Sequence, residues 1–165
     1  MKHYFARPPR DRAPPLAIPP FHAAPVRLRA DGWTPLRQAE FIGHLAQTRS
    51  VAQAARRVSM ARESAYRLRA RAGSEGFVAA WDAALASTGT PRGRERLAAA
   101  LEAAHAALRP SWKVTLAQLE WRIETGIWQV VLHAGRYAGV RQKPDNSALF
   151  AVLARTRHAE EGATG

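Results

Sequence analysis

The run SVAQAARRVSMARESAYRLRAR at residues 50–71 decides how the rest of the chain is read. Val51, Ala54 and Val58 in its first half, and Ala65 and Leu68 in its second with Met60 just ahead, recur at the threes and fours of helices that bury one face. Two short helices joined by a tight bend result. Ala54 and Ala55 keep helix propensity while letting two backbones cross closely at a steep angle. The second helix then turns Arg62, Glu63, Ser64, Arg67 and Arg71 away from the core. An arginine-rich outer face of this kind is the composition expected of a side-chain row that enters the major groove of DNA.

Together with the aromatic pair in EGFVAAWDAAL, the run SVAQAARRVSMARESAYRLR resembles the helix-turn-helix of bacterial and phage DNA-binding proteins. Regulators, transposases and the small subunits of phage DNA-packaging terminases share that module. The resemblance covers roughly residues 33–86 and is more specific for the fold than for the biological role. It implies a mainly α protein whose N-terminal part is a four-helix, homeodomain-like helix-turn-helix domain with double-stranded DNA as partner. Helix 61–71 would read the groove, with Arg62 and Arg67 at guanine edges or phosphates and Ser64 on backbone or bases. Arg56, Arg57, Arg69 and Arg71 would hold phosphates, and Glu63 shares the same face. Two positions depart from the usual pattern. Ser59 stands where the bend normally has glycine, which forgoes easy access to positive φ. Ala61 stands where a serine would cap the second helix, which forgoes a bond worth about 1 kcal/mol.

Charge supports the same partner. Lys+Arg 25 against Asp+Glu 13 gives +12 at pH 7 and a pI near 11.5, the balance of a chain that meets nucleic acid or an anionic lipid surface. Nearly all of that charge is arginine and alanine is abundant, as GC-rich coding also produces. The placement of the arginines on one helix face therefore weighs more than their number. The 165 residues, 47% of them hydrophobic, suffice for a core. Cysteine is absent, which excludes disulfides and thiolate-bound metals. No apolar run approaches the roughly 20 residues of a membrane span. The opening MKHYFARPPRDRAPPLAIPP lacks the apolar centre of a signal peptide, and a cytoplasmic location is expected. The six histidines are scattered without metal-ligand spacing, and no phosphate-cradling glycine loop or nucleophile motif occurs. No catalytic residue, cofactor or metal is expected, and the chain reads as a binding protein.

Residues 1–31 carry most of the prolines and six basic side chains, the composition of a disordered arm. Residues 32–86 make the DNA-binding domain. Thr34 caps its first helix with Pro35 behind it, Leu36, Phe41, Ile42 and Leu45 form the buried stripe, and Phe77, Trp81 and Leu85 are core rather than a base-stacking platform. STGTPRGR at 87–94 is a linker by composition. Residues 95–158 form an oligomerisation or partner-binding region. Its first helix has the narrow face Leu97, Leu101, Ala104 and Leu108, suited to the following helix or to a second copy of the chain. A second helix carries Leu116, Leu119 and Ile123 and stops at Gly126. A β-hairpin from Ile127 turns at His133, Ala134, Gly135 and Arg136. A last helix follows with Leu149, Val152 and Leu153 on one face, and 159–165 is a disordered tail. A homo-oligomer through residues 95–126 and a protein partner at 127–158 are the expected assemblies. An assembly or adaptor protein with a degraded DNA-binding module is the contrasting expectation.

Overall fold

A computed structural model describes residues 17–164. Within them the chain is mainly helical, in the order α1 (Pro35–Thr48), α2 (Val51–Arg57), α3 (Arg62–Arg69), α4 (Glu75–Leu85), α5 (Pro91–Leu108), α6 (Leu116–Thr125), β1 (Ile127–His133), β2 (Arg136–Lys143) and α7 (Asn146–Ala163). Thr34 caps α1 as its sequence requires, its Oγ1 accepting from the Arg37 N–H at 3.2 Å. Phe41, Ile42 and Leu45 are fully buried. Leu36, expected in the same stripe, lies at the first turn and is 48% exposed. Phe77 and Trp81 on α4 join Phe41 and Trp33 in an aromatic cluster whose ring centres lie 5.1–6.1 Å apart.

The core is sealed by a segment that composition assigns to a flexible arm. Most of residues 18–24 are in the core: Phe21, Ala23 and Ala24 have no exposed surface. Proline there removes helix and ladder donors, which disfavours regular structure without preventing an extended chain from burying what lies between the prolines. The freed backbone groups find partners elsewhere. Phe21 and Trp128 exchange both backbone hydrogen bonds, at 2.9 and 2.8 Å, which extends the hairpin by one bridge. Gln38, fully buried on α1, accepts from the Ala24 N–H at 2.7 Å and donates to the Ala24 carbonyl at 3.1 Å. The part of the arm expectation that concerns residues 1–16 lies outside the described residues, as does Gly165 of the tail.

A boundary at 87–94 does not divide the chain into two units. Pro91 already opens α5, and Trp128 and Val130 from β1 enter the same core as α1 and α4. The hairpin is mounted on α1. The Tyr137 ring lies so close over Gly43 that no side chain fits there, and the Tyr137 N–H donates to Gln47 Oε1 at 3.0 Å. Its turn is shorter than the sequence suggested, only Ala134 and Gly135, with φ of 51° and 77°. Two central residues at positive φ match the right-handed twist of the strands. Ala138 is the extra residue between the Val131–Gly139 and Leu132–Tyr137 pairs.

α5 packs back on α4 with its smallest side chains, burying Gly93, Ala100 and Ala104, while Leu101 is 40% exposed. Its pairing with the following helix, expected from leucine spacing, gives way because glycine and alanine let two backbones approach more closely than leucine does. α6 pairs with α7 and buries Leu119. α7 runs to Ala163, so residues 159–163 are helical rather than a disordered tail. Its first turn is held by Asp145, which accepts from the Ala148 N–H through Oδ1 and from His22 Nε2, 2.5 Å away, through Oδ2. That contact ties α7 to the N-terminal segment.

Candidate nucleic-acid interface

The bend between α2 and α3 is a helix stop made without glycine. Ser59 takes φ 59°, its N–H donates to the Arg56 carbonyl, and the Met60 N–H donates to the Ala55 carbonyl. These two bonds are the Schellman pattern, which satisfies the end of α2 once one residue turns left-handed. The serine bears the strain of that geometry, about 1–2 kcal/mol for a residue with a Cβ. Ala61 is the N-cap of α3 and offers no side-chain bond. The start of α3 is fastened to the core by other contacts, which leave the uncapped N–H groups of its first turn as they are. Trp33 Nε1 donates to Ser64 Oγ at 3.0 Å, and Ser64 Oγ donates to the Ala61 carbonyl at 2.7 Å.

These contacts sort the eight residues named from the sequence. Arg62, Glu63, Arg67 and Arg71 are exposed on or beside α3, and Arg56 and Arg57 are exposed at the end of α2. Arg62 Nε lies 3.6 Å from Glu63 Oε1, an exposed pair of the kind that contributes little and yields readily to another anion. Two residues are committed elsewhere. Ser64 is half-buried with its hydroxyl proton given to Ala61. Arg69 turns to α4, where Nη2 meets Asp82 Oδ1 at 2.8 Å and the guanidinium sits 5.2 Å from the centre of the Trp81 ring. The helix expected over 61–71 spans Arg62–Arg69.

Tyr66 escapes a reading by composition, and Arg27 and Arg29, expected only as part of a basic arm that could follow DNA phosphates, take defined places. Tyr66 is 50% exposed on the outer face of α3, one residue before Arg67, with its ring 5.4 Å from Trp81. Arg27 and Arg29 leave the N-terminal segment beside Arg67 and Arg71, and the four arginines line a concavity of about 470 Å³ with Trp33 and Ser64 at its floor. The signal was present in the sequence as two arginines two residues apart, but their proximity to α3 follows only from the burial of most of residues 18–24. Among the described residues no group of three or more His, Cys, Asp and Glu side chains is placed to hold a metal ion. No helix among the described residues is long and apolar enough to cross a membrane. Comparison of the chain with protein-family models, with curated proteins and with solved structures finds no match.

Proposed function

We propose that the protein binds double-stranded DNA, with α3 in the major groove, and works as a small transcriptional regulator. One observation carries this reading: Arg62, Tyr66 and Arg67 form an exposed face on α3, and Arg56, Arg57, Arg71, Arg27 and Arg29 surround it with Glu63 as the acid among them. Arg67, central on that face, suits a bidentate contact to a guanine edge. Arg56 and Arg57 stand at the end of α2, where a helix-turn-helix protein meets the phosphates. The reading is of a binding protein without catalysis or cofactor, acting in the cytoplasm.

A homo-oligomer belongs to the same proposal. Leu116 and Ile123 on α6, and Leu149, Phe150 and Leu153 on α7, are between 37% and 67% exposed, an apolar surface that a second copy would cover. A dimer would place two α3 helices on half-sites about one helical turn apart. A closed ring would favour the terminase-like packaging reading instead, with the hairpin and α7 meeting a protein partner.

Duplex binding with single variants tests the assignment. Arg67→Ala should weaken a selected site by about 1–3 kcal/mol, and Arg57→Ala should lower affinity for all sequences alike and flatten the salt dependence. Wild-type binding by both variants would remove α2 and α3 from the interface.

A further inference from the structure

A second cleft, of about 280 Å³, opens where the N-terminal segment, the turn after α3, the end of α5 and α6 converge, and it shares no lining residue with the concavity beside α3. Its walls include His22, Glu75, Arg109, Lys113, Trp121 and Arg122. Three permanent cations thus face one carboxylate. Arg122 is the informative member. Its Nη1 is buried and has no hydrogen-bond partner among the described residues, whereas buried donors are ordinarily paired. Neither Asp145 nor Glu75, the two carboxylates whose charges it feels, bonds that atom. Burial lowers the Arg122 pKa, opposed by the charges of Asp145 and Glu75, so the guanidinium is a desolvated cation with a donor to spare.

The other two cations of the lining are exposed and make surface contacts of their own. Arg109 Nη2 donates to His105 Nε2 at 2.9 Å, and Lys113 Nζ sits 5.6 Å from the centre of the Trp112 ring. The Trp121 indole N–H is held by the Ala23 carbonyl at 2.9 Å, which fixes the apolar part of the wall. A cleft lined by two guanidinium groups, an ammonium and an indole suits an oxyanion carried on a small apolar or aromatic body.

We propose that this cleft is a binding site for a small organic oxyanion, a carboxylate or phosphate monoester, received by Arg122 with Arg109 and Lys113. It is separate from the arginines around α3 and stands whether or not those bind DNA. The volume admits a ligand of one ring and one acidic group.

The test uses the full chain in chloride buffer at constant ionic strength, with inorganic phosphate, phenyl phosphate and benzoate as probes and the thermal midpoint as readout. At least one aromatic probe should raise the midpoint saturably and at lower concentration than inorganic phosphate. The double variant Arg109→Gln, Lys113→Gln alters two exposed side chains and should weaken the apparent affinity at least about fivefold, the loss of charge-assisted hydrogen bonds. The double variant Arg67→Ala, Arg71→Ala should leave it unchanged. No saturable rise with any probe overturns the proposal. So does a rise that survives the Arg109, Lys113 variant within fivefold, or one that disappears with Arg67 and Arg71, because the anion would then sit on the α3 face.

Discussion

The apolar side chains of α4 and of α7 meet opposite fates. Phe77 and Trp81 are 0% and 3% exposed, whereas Leu149, Phe150 and Leu153 are 42%, 67% and 50% exposed. Both helices carry apolar residues at helical spacing, so the difference does not lie in either helix alone. It lies in what arrives to cover them. α4 is enclosed by α1, by α5 and by Phe21 of the N-terminal segment, which meets the Phe77 ring edge-on at 6.2 Å. α7 packs on α6 and is fastened by polar contacts, Arg155 donating to the carbonyls of Val114 and Ser111 at 2.6 and 3.0 Å. The first region completes its core within the chain; the second leaves its apolar side chains open.

The sharpest way to break this contrast is to open the sealed side. Phe21→Ala should cost about 3–5 kcal/mol, the range for a fully buried aromatic. Because Phe21 joins the aromatic cluster to β1, denaturant curves followed by tryptophan fluorescence and by helical circular dichroism should shift together. Separate transitions would mean that the hairpin and the helix-turn-helix are independently stable after all.

Acidification probes the contact that joins the two regions. His22 lies below its ordinary value of 6.5 because of burial first and the nearby Arg122 charge second, against the hydrogen bond and charge of Asp145. The unfolded chain therefore accepts a proton that the folded chain resists. Stability is complete above 6.5 and falls as pH drops through that value toward the lowered folded one. The melting midpoint should decline from about pH 7 to about pH 5, and His22→Gln should flatten most of the slope. His44, also lowered by burial and then by Arg57, accounts for what remains.

Within the bend, the effect is smaller and of opposite sign. Ser59→Gly should stabilise the protein by about 1 kcal/mol, since glycine takes the left-handed conformation at no steric cost. A lowered midpoint would show that the serine is better placed than its backbone implies. The mildest change in stability belongs to the open surface. The triple variant Leu149→Ser, Phe150→Ser, Leu153→Ser should move the unfolding free energy by about 1 kcal/mol or less, as partly exposed sites do, yet abolish self-association in sedimentation. A wild-type assembly mass would place the interface elsewhere.

Much of the helical layout was legible because its signals are local. Thr34 with Pro35, the two halves of residues 50–71, the aromatic spacing on α4 and the β-branched run before Ala134 and Gly135 each announce their element. The misread parts depend on partners distant in sequence. Leu101 and Leu149 have helical spacing like that of Leu45, and spacing records which side chains are apolar without recording what covers them. Arg49 is the clearest case. Nothing in its neighbourhood signals a role, but it adopts φ 60° at the end of α1 and its guanidinium donates to the carbonyls of Ala84, Leu85 and Ala86, capping α4 from across the fold. At the interface the outer arginines of α3 follow from period alone, while the withdrawal of Arg69 required the position of Asp82.

The His22–Asp145 contact spans 123 residues, and the Phe21–Trp128 bridge closes a loop nearly as long. During synthesis α1 to α4 emerge well before β1 and Asp145 do. Closing so wide a loop adds an entropic cost that local helix contacts do not bear, and such pairings set a slow pace for folding. At about 5–20 residues per second of translation, α1 to α4 leave the ribosome seconds before the strand that pairs with Phe21. Nascent chains therefore pass through an interval in which the arginine face exists but the core beneath it is unsealed, and commitment to the finished structure comes only when the hairpin is delivered.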